Sequence, residues 1–103
     1  MFSNLRSLIF KLDPETAHNL AIKSLKFNFV PNVFDEDKNN PLFKTILFNK
    51  DLENPIGMAA GFDKNAEVYN SLFKLGFGFV EVGTITPLKQ YGNPKPRVFR
   101  LVE

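Results

Sequence analysis

The stretch that most constrains the fold is residues 56–83, where two short apolar segments flank a helical pattern. Residues 56–60 form a small-residue apolar run typical of a buried strand, residues 66–75 read as a helix, and residues 79–82 predict a second strand. A strand, a helix and a strand in this order form a βαβ unit, whose strands are parallel and whose crossover is right-handed. Because a parallel sheet needs several strands covered on both faces, the stretch predicts the first unit of a larger α/β fold.

The helix of this unit is predicted from apolar spacing and from a glycine. Val68, Leu72 and Leu75 stand at i, i+4 and i+7, so they share one helix face. Gly76 follows directly, where a left-handed residue commonly closes a helix. The polar segment 61–65 is therefore the loop that joins the first strand to the helix.

Two further helices are predicted near the start of the chain. Apolar residues recur at helical spacing over residues 2–12, and a second helix is expected over residues 14–27. Asp13 can accept the free N–H groups of a helix start, and Pro14 fits the first helical position. The two helices should form an amphipathic hairpin with basic margins, suited either to a membrane surface or to packing on the rest of the domain.

The remaining segments predict shorter features. Residues 31–41 contain two prolines and an acidic triplet, so they predict a linker, and residues 45–52 predict a short hairpin that turns at 49–51. Residues 87–96 contain three prolines and are expected to be loop. Residues 98–101 then predict a further strand.

Composition excludes several classes of site and partner. The 103 residues include no Cys and one His, which leaves no disulfide, no cysteine nucleophile and no multi-histidine metal cluster. The net charge of +2 is too small to indicate nucleic-acid binding. No segment of the sequence approaches the roughly 20 consecutive apolar residues that a membrane-spanning helix needs. We therefore expect no metal, no nucleic acid, and a protein that is either soluble or held at a membrane surface.

The loop after the first strand is the candidate site, because α/β folds bind ligands at the carboxyl ends of their strands. Gly61 lets the backbone approach a ligand, and Lys64 offers a compact cation for an anionic ligand or for charge that develops in a reaction. Thr84 should lie on the same rim, after the second strand. In the alternative interpretation, Asp63 and Lys64 are a solvated pair that caps the next helix, and Thr84 is an ordinary turn residue.

Other candidate residues are less specific. His18 lies close to the apolar face of the second predicted helix, where a structural role is the more common one. A basic run could bind phosphate or nucleic acid, although such runs are more often a solvated face. It comprises Lys89, Lys95, Arg97 and Arg100.

Several segments together resemble a known family. They read NPIGMAAGFDKNAE at 54–67, LGFGFVEVGTITP at 75–87 and GNPKPRVFRL at 92–101, and residues 12–18 add LDPETAH. This sequence resembles the start of the class 2, quinone-dependent dihydroorotate dehydrogenases. The resemblance implies the start of a TIM (β/α)8 barrel that binds FMN, preceded by a small amphipathic helical hairpin. It also implies oxidation of dihydroorotate to orotate in de novo pyrimidine biosynthesis, with FMN as carrier and a membrane quinone as electron acceptor.

The resemblance also implies residue roles. The FMN contacts would be made by Ala60, Gly61, Phe62, Asp63, Lys64 and Thr84. Lys64 would in addition meet the substrate carboxylate, while His18 and Arg100 would line the quinone site. The apolar wall of that site would be formed by Leu20, Ala21 and Leu25. The catalytic base of the family is a serine expected beyond Glu103, so no catalytic residue is assigned in this chain.

The implied organisation has three parts: a helical hairpin on the quinone and membrane side at 1–30, a linker at 31–42, and a β-hairpin with the first βαβ unit of the barrel at 43–103. A TIM barrel needs about 250 residues, so the isolated chain is expected to be an inactive N-terminal fragment. Because no transit peptide or anchor precedes Met1, we expect a peripheral protein on the cytoplasmic face of a bacterial inner membrane.

Two other functions are compatible with the residues. The first is a small non-enzymatic protein that binds a membrane surface or a partner through residues 2–27. The second is a soluble flavin dehydrogenase that uses fumarate or NAD. The apolar hairpin argues against the second function, because a soluble electron acceptor needs no apolar binding site.

Overall fold

The structure is a computed structural model that describes residues 2–28 and 40–101. Most of the predicted linker, residues 31–39, lies outside the described residues. Helix α1 spans Phe2–Ile9 and helix α2 spans Pro14–Lys26. Asp13 caps α2 as predicted: its carboxylate accepts a hydrogen bond from the Thr16 N–H at 2.9 Å, and Pro14 occupies the first turn. Helix α1 ends three residues earlier than predicted, because residues 10–12 form a turn.

The predicted hairpin is present, but its turn lies one residue earlier. After a short 3₁₀ helix at Pro41–Phe43, strand β1 (Thr45–Leu47) pairs antiparallel with strand β2 (Lys50–Leu52). The turn is formed by Phe48 and Asn49, with φ of 50° and 59°. Two successive positive φ values are the geometry of a type I′ turn, whose twist matches that of the paired strands.

The predicted βαβ unit is confirmed, with shorter elements. Strand β3 (Gly57–Met58) pairs parallel with strand β4 (Phe79–Val80), and helix α3 (Tyr69–Lys74) lies between them in the chain. Both strands are half-buried, whereas the apolar run at 56–60 predicted a buried strand. The α/β class predicted from the sequence is therefore confirmed.

Helix α3 begins at Tyr69, three residues after its predicted start at residue 66. The carboxylate of Asp63 accepts hydrogen bonds from the N–H groups of Glu67 and Val68, and Ala66 has a φ of 56°. Since a residue in the left-handed region interrupts a right-handed helix, this loop geometry delays the first turn.

The end of α3 agrees with the prediction. Gly76 has a φ of 106°, and its N–H donates to the Phe73 carbonyl at 3.0 Å. The Phe77 N–H donates to the Leu72 carbonyl at 3.4 Å. These two bonds form a Schellman motif, in which a left-handed glycine satisfies the last helical carbonyls.

The predicted strand at 98–101 is wrong. Residues 87–101 contain no helix or strand, which confirms the predicted loop at 87–96 and extends it. A strand requires a neighbouring backbone to pair with, and no strand within residues 40–101 offers one to this segment. Side-chain bonds from Arg97 and Arg100 hold the segment instead.

A small core joins helix α2 to the βαβ unit. It is centred on Leu25 of α2 with Val68 and Leu72. The Ser71 hydroxyl of α3 also donates to the Leu25 carbonyl at 2.8 Å. Leu25 was expected beside Leu20 in a quinone-site wall, but the structure buries Leu25 against α3 and leaves Leu20 exposed. The two positions differ because five residues of helix span about 500°, which turns Leu25 well away from Leu20.

Candidate functional site

The candidate loop and Thr84 lie on one rim, as the sequence predicts. Strands β3 and β4 are parallel neighbours, so their carboxyl ends point to the same edge. The Glu81 N–H donates to the Met58 carbonyl at 2.9 Å, and the Gly83 N–H donates to the Asp63 carbonyl at 3.2 Å. The second bond ties the segment before Thr84 directly to the loop.

Asp63 shapes this loop from inside. Its side chain is buried, and its two carboxylate oxygens accept from the Glu67 N–H at 2.7 Å and the Val68 N–H at 2.9 Å. These N–H groups belong to the free amides ahead of α3, so the aspartate satisfies donors that would otherwise be unpaired. The alternative interpretation, a solvated pair that caps the next helix, is therefore wrong for Asp63: its carboxylate is buried and bonds amides of the loop, while α3 begins after Val68 with no side-chain cap.

Lys64, the next residue, has the opposite environment. It is exposed, and among the described residues no hydrogen bond or ion pair holds its ammonium group. Its carbonyl, by contrast, packs so closely on Gly83 that a Cβ there would collide with it. The backbone of Lys64 is thus fixed while its charge remains available to a ligand.

Gly61 faces open space. A Cβ atom added at this residue would meet no atom within 4 Å, and the residue does not adopt a left-handed φ. Neither backbone conformation nor packing requires a glycine here, so the open face can accept a ligand close to the backbone. An open backbone face at Gly61 and an exposed ammonium without a partner among the described residues fit an anionic ligand.

A cavity of about 180 Å³ lies between this loop and helix α2. Its lining includes His18, Phe62, Lys64 and Arg97. The rings of His18 and Phe62 meet edge to face, with centroids 5.3 Å apart and planes at 77°. One predicted quinone-site residue is thereby in direct contact with the predicted flavin loop.

Arg100, the other predicted quinone-site residue, lies at the turn between α1 and α2. Its Nη1 donates to the carbonyls of Phe10 at 3.1 Å and Leu12 at 2.7 Å. Its guanidinium also sits 4.8 Å from the centroid of the Phe10 ring. The structure therefore places Arg100 against the α1–α2 turn, whereas His18 lies on α2 and lines the cavity.

Sequence reasoning missed Glu15. One carboxylate oxygen of Glu15 accepts from Arg97 Nε at 3.2 Å and from Arg97 Nη2 at 2.9 Å, and lies 3.2 Å from the Lys95 ammonium. The Arg97 hydrogen bonds, assisted by Lys95, hold the pKa of Glu15 below its ordinary value. One feature of the sequence pointed to such a contact. The basic run at 89–100 contains no acidic residue, so an acidic partner for it had to come from another part of the chain.

Glu67 makes a second charged contact between α2 and the loop. Its carboxylate pairs with the Lys26 ammonium and accepts a hydrogen bond from the Asn65 amide at 3.2 Å. Both hydrogen bonds lower the pKa of Glu67, and the bond from Lys26 has the larger effect. Both ends of α2 are thus fixed by carboxylates that are ionised at neutral pH.

The described residues offer neither a metal cluster nor a membrane-spanning helix. Within residues 2–28 and 40–101, no group of three or more His, Cys, Asp or Glu side chains could hold a metal ion. Over the same residues, no helix has the length and apolarity that crossing a membrane requires.

Sequence comparison relates the chain to known proteins. A family model described as "Dihydroorotate dehydrogenase" matches residues 42–103. A "Dihydroorotate dehydrogenase (quinone)" of Bartonella henselae is 58% identical over 96 residues, which cover 93% of this chain and 26% of the relative. One from Rhizobium rhizogenes is 56% identical over 95 residues, covering 92% of this chain and 26% of that protein. This chain therefore spans about a quarter of the length of these relatives.

Structure comparison agrees. A crystal structure of DHODH in complex with ferulenol from Eimeria tenella superposes with a TM-score of 0.78 at 46% identity, covering 85% of this chain and 23% of that one. The ligand-free type from the same organism gives 0.77 at 45% identity. Sequence and structure thus give the same answer, and the chain belongs to the dihydroorotate dehydrogenase family.

Proposed function

We propose that this chain forms the flavin-loop and quinone-side part of an enzyme that oxidises dihydroorotate to orotate, with FMN as electron carrier and a membrane quinone as acceptor. The observation that carries the proposal is the exposed side chain of Lys64, whose ammonium has no partner within residues 2–28 and 40–101, in the loop that follows the first of two parallel strands. The substrate and the electron acceptor in this proposal are those that the names of the relatives state, dihydroorotate and a quinone.

The residues proposed to hold FMN fit a flat anionic group. Gly61 leaves its backbone face open, and Thr84 is exposed on the same rim. Asp63 acts through its buried carboxylate, which bonds the Glu67 and Val68 amides and so fixes the end of the loop that also contains Ala60 and Phe62. FMN, when bound, accepts two electrons from an organic substrate and passes them to a second acceptor.

Lys64 is proposed to serve both ligands. An ammonium on an exposed side chain can pair with the carboxylate of dihydroorotate and can stabilise negative charge that develops beside it. Because the backbone of Lys64 is packed on Gly83, the flexible side chain starts from a fixed point on the rim. The catalytic base lies outside the set of residues that this chain supplies.

The quinone side is proposed to be built by α2 and by the segment that ends in Arg100. His18 contacts Phe62 of the flavin loop. An electron acceptor bound beside His18 would therefore be close to FMN bound at that loop. Exposed apolar residues of α1 and of the following turn, Leu5, Leu8, Ile9 and Phe10, give this side an affinity for a membrane surface. We extend the proposal to a peripheral protein on the cytoplasmic face of a bacterial inner membrane, with residues 1–30 as the quinone-side part and 43–103 as the start of the barrel.

The test uses a full-length chimaera, in which this chain replaces the matching N-terminal quarter of the Bartonella henselae relative. Lys64→Gln should lower kcat/KM for dihydroorotate by about 10²-fold, because it removes one preorganised charge from the site. Thermal unfolding of this variant should be unchanged, since the Lys64 ammonium has no protein partner among the described residues.

The matched control is Lys50→Gln, which removes an exposed lysine from β2. It should leave orotate formation unaffected. Orotate formation by Lys64→Gln at the rate of the unsubstituted chimaera would contradict the proposal.

A further inference from the structure

Glu15 joins two parts of the quinone side that are far apart in the sequence. It stands three residues before His18 on α2, so both side chains reach the same helix face and line the same cavity. Its side chain is half-buried, with 16% exposed, and its carboxylate accepts both bonds from Arg97, 82 positions along the chain.

Arg97 extends this contact into a segment that has no secondary structure. While Nε and Nη2 bond Glu15, Nη1 donates to the carbonyls of Tyr91 at 3.0 Å and Asn93 at 3.4 Å. The side chain also fills the space beside Gly92, where a Cβ would meet Nη1 at 2.6 Å. One guanidinium therefore organises the loop at 91–97 around the carboxylate of Glu15.

The same segment is tied to α1 and α2 at a second point. Arg100 bonds the Phe10 and Leu12 carbonyls before the start of α2, whereas Arg97 bonds Glu15 just after it. Two arginines three residues apart thus hold the α1–α2 turn from either side. Of the two, only the Arg97 contact is a pair of opposite side-chain charges.

We propose that Glu15 is a positioning residue for the quinone half-reaction: through Arg97 it sets where Arg100 lies relative to His18. This inference rests on the proposed function, because it takes His18 and Arg100 as the residues that meet the quinone. It concerns the acceptor side only. The dihydroorotate side depends on Lys64 and on the loop fixed by Asp63, neither of which bonds Glu15.

The variant Glu15→Gln keeps the size of the side chain and removes its charge. In the full-length chimaera, we expect the KM for a short-chain ubiquinone analogue to rise about tenfold, because small displacements of a binding group are costly. Turnover with ferricyanide, which takes electrons without the quinone site, should stay within about twofold, and FMN content should not change. Glu53→Gln, at an exposed glutamate after β2, should alter none of these values.

Two further measurements separate positioning from general stability. If Glu15 acts through Arg97, the double variant Glu15→Gln/Arg97→Lys should raise the quinone KM no more than the more impaired single variant does. Hydrogen–deuterium exchange should become faster over residues 91–101 in Glu15→Gln, while β3 and β4 keep their protection.

The outcomes are distinguishable. An unchanged quinone KM, an equal loss with both acceptors, or unchanged exchange over 91–101 would overturn the role of Glu15. If the unsubstituted chimaera binds no FMN and forms no orotate, the proposed function fails. The exchange measurement would still decide whether Glu15 holds the segment.

Discussion

At the scale of single residues, Asp63 and Lys64 show how adjacent ionisable groups take different roles. The carboxylate of Asp63 is buried and bonded to two amides, so it contributes to the fold. Lys64 projects from the same loop with its backbone packed and its charge exposed. From the sequence, the pair could be interpreted either as a site or as a helix cap. In the structure, Asp63 bonds the amides of the loop before α3, and Lys64 is left for the candidate site.

Gly61 and Gly83 provide a matched test at this scale. In the full-length chimaera without FMN, Gly61→Ala should leave the melting temperature unchanged, because its Cβ meets no atom within 4 Å. Gly83→Ala should destabilise the fold by about 1–3 kcal/mol, because its Cβ collides with the Lys64 carbonyl.

FMN affinity should respond differently in the Gly61 variant. Gly61→Ala should weaken FMN binding by about tenfold, the effect of one extra methyl group in a tight site. Fluorescence titration of the apoprotein with FMN measures this. An unaltered affinity would show that no ligand lies against Gly61.

At the scale of elements, helix α2 is attached at its start to the loop segment 91–97 and at its end to the βαβ unit. Glu15 near its start pairs with Arg97 and Lys95, and Lys26 at its end pairs with Glu67. The hydrophobic contact of Leu25 with Val68 and Leu72 lies between α2 and α3. Exposed ion pairs each contribute little, so apolar burial supplies most of the attachment and the charges determine its register.

The two carboxylates predict a pH dependence for this attachment. Folding lowers the pKa of Glu15 and of Glu67 below 4.5, so the unfolded chain binds more protons near that pH. Their stabilising contribution is complete above pH 4.5 and is lost as the pH falls through the lowered values of the folded state. The protection factors of the α2 amides, taken relative to the intrinsic exchange rate at each pH, should therefore fall below pH 4.5.

The double variant Glu15→Gln/Glu67→Gln tests the cause of this effect. It should show faster exchange of α2 at neutral pH and a weaker dependence on pH, because neither group then titrates. Glu53→Gln should retain the pH dependence of the unsubstituted chimaera. An equally steep dependence in the double variant would assign the effect to other groups.

At the scale of the whole molecule, much apolar surface is exposed. The accessible surface is 9016 Å², whereas a folded monomer of 11.7 kDa has about 5,900 Å². Large apolar side chains stand exposed after β4, including Ile85, Leu88 and Tyr91. In the proposed barrel, further strands and helices would cover them, which agrees with a chain that spans 26% of its relatives.

Removal of the N-terminal helices tests whether they serve the quinone site while the flavin loop binds FMN independently of them. Deletion of residues 1–27 from the full-length chimaera should abolish quinone reduction, because it removes His18, Glu15 and the turn that holds Arg100. FMN absorbance and ferricyanide turnover should persist, since the flavin loop is held by its own hydrogen bonds. Quinone kinetics that survive the deletion would contradict the role of the helices.

The sequence by itself determined the features that depend on neighbouring residues. Asp13 and Pro14 start α2, Gly76 ends α3, and the order of apolar segments gives the βαβ unit. The segments at 54–67, 75–87 and 92–101 were also enough to indicate the family. These features follow from local backbone preferences and from side chains within a few positions of one another, so they are readable along the chain.

Only the tertiary structure decided the features that join distant residues. Arg97 bonds Glu15, which lies 82 positions earlier in the chain. Leu25, and not Leu20, packs against α3. Residues 98–101 lack the neighbouring strand with which a further strand would pair. Which of several compatible partners a side chain meets depends on how elements pack. Spacing within one segment fixes which face a residue shares, but it carries no information about what will cover that face.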